Sequence, residues 1–242
     1  MTQPERYLVI GESGTGKTVL AAELVRRLRS TRAAPLLVVV SADDPRESPL
    51  ARLCATREEV TDEVARRPLD LVALIRDRAP AGVYLEVTAY GEHRDAFMGR
   101  LGAAVLALGS CLLVVDEAHE LVGRRADPRL LSVWTRGRKR HVTPVAITQS
   151  LKQRATTGVS PTVLNRSTVL VAFGVADPTG HEAAQLLDLM PQAREILPRL
   201  RGPQDGAPEY IVRHAPTGRT VASLRDGERD LTTAASSEAS TV

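Results

Sequence analysis

The chain has 242 residues, 43% of them hydrophobic and 25% charged, with a net charge of +3. That length is enough for one α/β domain with a sizeable core, and so mild a net charge excludes any argument for nucleic-acid binding from charge alone. Aromatic residues make up 3%, too few for a surface that holds single strands by stacking bases.

Cys54 and Cys111 lie far apart and form neither a disulfide framework nor a zinc site. Only three of the 32 basic residues are lysines: Lys17, Lys139 and Lys152. The start, MTQPERYLVIGE, lacks a basic segment followed by an apolar one. The longest apolar run, LGAAVLALGSCLLVV (101–115), is shorter than the ~20 residues a membrane helix needs. A cytoplasmic location without a transmembrane segment is expected.

RYLVIG (6–11) reads as a short strand ending at a glycine. KTVLAAELVRRLRS (17–30) places Val19, Leu20, Leu24 and Leu28 at helical spacing. PLLVVVSA (35–42) predicts a strand buried on both faces, followed by a loop at SADDPRESP. Residues 48–79 predict two short helices around Pro68. GVYLEVTAYG (82–91) predicts a strand, EHRDAFMGRLGAAVLAL a helix, and CLLVVDEA (111–118) a second fully apolar strand. PRLLSVWTRGRKR predicts a helix, TPVAITQS (143–150) a third such strand and STVLVAFGV (167–175) a fourth. DPTGHEAAQLLDL (177–189) and PQAREILPRL predict helices. EYIVRHAPTGRTVASL (209–224) alternates and turns at Pro216 to Gly218, which predicts a hairpin. Alternating strands and helices predict an α/β fold, a mainly parallel sheet flanked by helices with a C-terminal β-hairpin. A single domain over 1–225 is expected. The polar end, DGERDLTTAASSEASTV, predicts a disordered tail over 226–242.

Gly11-Glu12-Ser13-Gly14-Thr15-Gly16-Lys17-Thr18 matches the phosphate-loop pattern in full, between a strand and a helix. Glycines let the backbone aim successive N–H groups at a phosphate. The helix that follows turns its positive end to the same anion. Lys17 can reach the β- and γ-phosphates, and Thr18 can place its hydroxyl on Mg²⁺. Gly11, Ser13, Gly14, Thr15, Gly16, Lys17 and Thr18 are the expected nucleotide contacts, with ATP and Mg²⁺ as cofactors.

The loop needs an acidic partner, and CLLVVDEAH supplies it. Ligand sites gather at the carboxyl ends of parallel strands. Asp116 ends such a strand and is assigned water-mediated contact to Mg²⁺. Glu117 follows, where it can polarise an attacking water. His119 is expected to be an ordinary polar residue of the next helix. PVAITQS ends in Thr148-Gln149, whose amide can touch the γ-phosphate or the lytic water. His93, His141, His181 and His214 form no ligand spacing, so no metal beyond Mg²⁺ is expected.

The order GESGTGKT, LLVVDEAHEL, WTRGRKRHVTPVAITQSL and VLNRSTVLVAFGV resembles the FtsK–HerA superfamily of P-loop ATPases over roughly residues 6–190. The basic helix leading to a strand that ends in Thr-Gln is the most telling part. The resemblance implies a RecA-like (ASCE) P-loop NTPase. Lacking the extra domains of FtsK and HerA, the chain is most similar to the single-domain genome-packaging ATPases of membrane-containing icosahedral viruses. This implies a ring, usually a hexamer, in which one subunit supplies the phosphate loop and the next a trans-acting arginine. Arg136, Arg138, Arg140 and Arg166 are the candidates. It further implies a Mg-dependent motor that moves double-stranded DNA into a preformed capsid, partnered by capsid or membrane-vertex proteins in the host cytoplasm or at the virion vertex. Conjugation or chromosome-type DNA pumps, and a nucleotide-gated assembly switch that moves no DNA, share the same engine. From Arg124 to Arg140 seven basic residues face one acid, Asp127. Such a cluster could follow a DNA backbone without reading bases.

Overall fold

A computed structural model describes residues 4–31, 35–46, 48–123, 126–149, 158–174, 181–202, 204 and 206–232. Arg124 and Arg125 of the basic run lie outside them.

Ten strands form one sheet: β1 (Tyr7–Ile10), β2 (Leu36–Ser41), β3 (Thr56–Val60), β4 (Val83–Val87), β5 (Cys111–Val115), β6 (Thr143–Thr148), β7 (Val169–Phe173), β8 (Tyr210–His214), β9 (Arg219–Leu224) and β10 (Gly227–Asp230). The helices are α1 (Lys17–Thr31), α2 (Asp62–Arg66), α3 (Leu71–Arg78), α4 (Gly91–Leu108), α5 (Ala118–Leu121), α6 (Pro128–Arg136), α7 (Pro161–Arg166) and α8 (His181–Leu189). The sheet order is β10-β9-β8-β7-β1-β6-β5-β2-β4-β3. The seven strands from β7 to β3 run parallel, and β8, β9 and β10 continue antiparallel.

The central strands are apolar throughout because both faces are covered. Every residue of β1, β5, β6 and β7 is buried. Alternation splits them between two layers. Leu8, Val38, Leu113 and Ala146 join Leu101 of α4 and Trp134 of α6 on one face. Val9, Val39, Val114 and Ile147 meet Ala21, Ala22 and Val25 of α1 on the other. Truncating a fully buried leucine such as Leu8 would cost about 2–5 kcal/mol. Helices α4 and α6 approach at backbone distance: a Cβ on Gly102 would lie 2.6 Å from the Leu130 Cα. This contact fixes the first turn of α6 against α4.

The parallel strands and the C-terminal hairpin follow the sequence pattern. Three local expectations need correction, and one helix was not expected. Residues 48–79 contain α2 and α3 around Pro68, and also β3, whose TREEV sequence exposes alternate charged side chains as an edge strand does. Residues 161–166 form α7, with Ser160 as N-cap and Pro161 in the first turn. PQAREILPRL forms no α-helix: Pro191 and Pro198 each sit in a short 3-10 turn, Pro191–Ala193 and Leu197–Arg199. The predicted tail starts too early, since β10 pairs with β9 and Leu231 is buried, its amide bonded to the Thr220 carbonyl.

Candidate functional site

The strand order creates the site. Strand β6 lies between β1 and β5, so the residue after β6 falls between the loop after β1 and the acids after β5. Ser13, Gly14, Gly16, Lys17, Thr18, Asp43, Asp116, Glu117 and Gln149 line one cleft of about 560 Å³ at the carboxyl ends of these strands.

The phosphate loop is a tight turn. Gly14 and Gly16 have φ of 76° and 94°, a region favourable to glycine. Thr15 Oγ1 donates to the Glu12 carbonyl at 2.8 Å, and Lys17 Nζ donates to the same oxygen. Burial pulls the Lys17 ammonium pKa down, while Glu117 and Asp116 hold it up. Helix α1 starts at Lys17, so the unpaired N–H groups of its first turn face the cleft, where they favour an anion.

Across the cleft, the Asp116 amide is tied to the Val40 carbonyl at 2.8 Å. Asp116 is 3% exposed. Burial, and then the charge of Glu117, push its carboxyl up to about 7. A buried acid with a second carboxylate beside it is what a divalent cation relieves. Thr18 and Asp116 both border the cleft, so these residues fit Mg²⁺. Among the described residues no group of three or more His, Cys, Asp or Glu side chains forms a cation cage. That agrees with an ion that takes most of its ligands from phosphates and water.

Glu117 adopts a left-handed backbone (φ 49°, ψ 48°), a conformation costing a non-glycine residue about 1–2 kcal/mol. Its carboxylate is held on both sides. Oε1 accepts from Gln149 Nε2 at 2.6 Å, and His119 Nδ1 lies 3.1 Å from Oε2, at ion-pair distance without the alignment of a directed hydrogen bond. Burial pushes the Glu117 carboxyl up, but His119, Gln149 and Lys17 outweigh it and leave the pKa below the usual range. Contact with Glu117 raises the His119 pKa. Such an arrangement can hold an ionised carboxylate ready to accept a proton from water.

Residues 3–153 match the family model of the AAA domain. The chain belongs to that family. This AAA-domain protein is a P-loop ATPase. No curated protein matches it. Its fold resembles the genome packaging NTPase B204 from Sulfolobus turreted icosahedral virus 2 in complex with AMP, at 12% identity over 92% of this chain and 98% of that one, with a TM-score of 0.64. The same protein in complex with ATP-gammaS gives 15% identity over 92% and 98%, with a TM-score of 0.63. B204 described as the DNA-packaging ATPase from Sulfolobus Turreted Icosahedral Virus gives 14% over 91% and 98%, with a TM-score of 0.62. At such identity the likeness is one of fold.

The cleft of this AAA-domain ATPase brings together Ser13, Gly14, Gly16, Lys17, Thr18, Asp116, Glu117 and Gln149. Gly11 and Thr15 belong to the same turn and shape its backbone. The arginines lie elsewhere. Arg138 precedes β6 and Arg166 precedes β7, so both lie at the amino edge of the sheet, the edge away from the cleft. Arg6 precedes β1 at that edge. Burial, then the like charges of Arg138 and Arg166, lower its pKa. Arg140 is engaged locally: Nε donates to the Leu106 carbonyl at 2.9 Å and Nη2 to that of Ala107 at 2.6 Å, closing the end of α4. Arg136 is exposed at the end of α6.

The sequence reading missed Asp43 and undervalued His119. Asp43 follows β2 as Asp116 follows β5, and the rule of carboxyl strand ends applied to LLVVVSADD would have found it. Burial and then Glu117 raise its pKa. His119 was legible only as part of DEAH, and its place beside Glu117 depends on the turn after β5.

Proposed function

We propose that this ATPase is a Mg-dependent, ring-forming motor that translocates double-stranded DNA, packaging a viral genome into a preformed capsid. The observation carrying the proposal is the separation of charge across the sheet. The cleft holds lysine, acids and an amide, and no arginine is among its described lining residues. Arg6, Arg138 and Arg166 gather at the opposite edge. A site of this kind is completed when the amino edge of one subunit meets the cleft of the next, giving a ring such as a hexamer. The fold shared with a viral genome packaging NTPase supports the same reading.

In this account the loop from Gly11 to Gly16 and the first turn of α1 bind the phosphates. Lys17 holds the β- and γ-phosphates. Thr18 and Asp116 would hold Mg²⁺, which would supply charge neutralisation on the phosphate oxygens when bound. Glu117 accepts a proton from the attacking water. Gln149 leaves Glu117 for the γ-phosphate, so the amide senses the nucleotide. Arg138 or Arg166 acts in trans; Arg140 is occupied at the end of α4. The ring works in the host cytoplasm or at the virion vertex, where capsid or membrane-vertex proteins dock it. Residues 1–225 and the last strand, β10, act as one domain.

Steady-state ATP hydrolysis with and without linear duplex DNA, at low and moderate salt, tests this reading. Stimulation that weakens as salt rises supports the motor. Turnover indifferent to DNA would contradict it and favour a nucleotide-gated assembly switch.

A further inference from the structure

A second cavity, of about 380 Å³, opens between the segment around Leu197–Arg199, the start of β8, and the turn from β9 into β10. Arg199, Arg201, Arg225 and Arg229 line it, against Glu209 and Asp226. The nucleotide chemistry uses none of them.

Two of these charges, Glu209 and Arg225, are engaged within the protein. Glu209 is 8% exposed. Its Oε2 accepts from the Arg201 amide at 2.9 Å and its Oε1 from the Arg225 amide at 3.1 Å. Glu209 is therefore spent on backbone, and it pins two arginine backbones side by side. The Arg225 guanidinium donates to the Ala207 carbonyl at 3.0 Å and to the Gly202 carbonyl at 2.8 Å, bracing the rim. Arg199, Arg201 and Arg229 are exposed. Among the described residues, none of the three forms an ion pair with an acid. Among the described residues no aromatic side chain lines the cavity, so its chemistry suits phosphate oxygens and not stacked bases.

The cavity also touches the engine. Pro208, next to Glu209, packs against the phosphate loop: a Cβ on Gly16 would lie 3.1 Å from Pro208 Cγ. The Arg201 amide bonds Glu209, the neighbour of Pro208, and Pro208 lies against the phosphate loop.

We infer that Arg199, Arg201 and Arg229 form a phosphate-binding surface for the backbone of duplex DNA, linked to the phosphate loop through Glu209 and Pro208. The inference rests on the motor reading above and names where the DNA is held. It needs no base contact, as a translocase indifferent to sequence requires.

The test is binding of a fluorescent 30-base-pair duplex to the full chain by anisotropy, across a salt series. Arg199, Arg201 and Arg229 are changed together to glutamine and, in a second variant, to glutamate. In the control, Arg26, Arg27 and Arg67, exposed arginines paired with Glu23 and Glu63 away from the cavity, are changed in the same two ways, and so match each loss of net charge. Thermal melts establish that each variant folds. The expected result is a loss of about tenfold or more in affinity for the cavity variants, and a salt dependence shallower by about one power per phosphate contact removed. The control should lose less than about threefold. Equal losses in control and cavity variants, or full binding by both cavity variants, would overturn the site and leave the motor reading standing. Failure of the unmodified protein to bind duplex DNA would overturn both.

Discussion

At the carboxyl edge of the sheet, Asp43, Asp116 and Glu117 converge with Lys17, the only basic side chain among the described lining of the cleft. At the amino edge of the same strands, Arg138 and Arg166 lie near Arg6, where burial and then their like charges lower the Arg6 pKa. The two edges carry opposite kinds of charge. The acids and Lys17 suit a cation and a phosphate chain. On the proposed motor reading, the two edges are two halves of one phosphoryl-transfer site, which meet when the amino edge of one subunit faces the cleft of the next.

The largest effect is expected from the carboxyl edge. Lys17→Ala should abolish turnover and weaken ATP binding, measured by steady-state hydrolysis and nucleotide titration. Glu117→Gln should retain ATP and lower hydrolysis by about 10²-fold or more; normal turnover would remove Glu117 as the base.

The acids also make a pH prediction for the nucleotide- and magnesium-free protein. Asp116 titrates at about 7 when folded, against 3.8 in the unfolded chain. Its folded pKa is raised, so its contribution is full below about 4 and is lost as pH rises toward 7 and beyond. His119 moves the same way: its pKa is raised by Glu117, so its contribution is present below 6.5 and lost as pH rises through its folded value. Thermal melts should therefore show stability falling from pH 5 to pH 8. Asp116→Asn should flatten that fall and gain roughly 1–4 kcal/mol at pH 8.

The smallest effect sharpens the comparison at the amino edge. Arg140→Ala should cost about 1 kcal/mol of stability, through the freed carbonyls of Leu106 and Ala107. Turnover per folded molecule should persist. A loss of turnover out of proportion to stability would make Arg140 the trans arginine.

Much of this was legible in the sequence because the central strands are buried on both faces and leave unbroken β-branched runs. The phosphate loop was legible because its backbone needs glycine at Gly14 and Gly16 and a lysine directly after. Strand β3 escaped because an edge strand can alternate charges, which reads as a polar helix. The hold on Glu117 escaped because it depends on a left-handed turn at a non-glycine residue and on a hydrogen bond across 32 residues. The charge on the amino edge was visible as arginines, but only the strand order places Arg6 beside Arg138 and Arg166.

The central claim is that one nucleotide site is built from two subunits. Subunit mixing tests it most directly. Lys17→Ala and a double variant, Arg138→Ala with Arg166→Ala, should each be inactive alone, since a trans arginine contributes about 10³-fold or more in rate. Mixed in equal amounts and allowed to exchange, they should regain a measurable fraction of ATP hydrolysis, because some interfaces then pair an intact phosphate loop with intact arginines. No recovery on mixing, despite confirmed subunit exchange, would contradict the account.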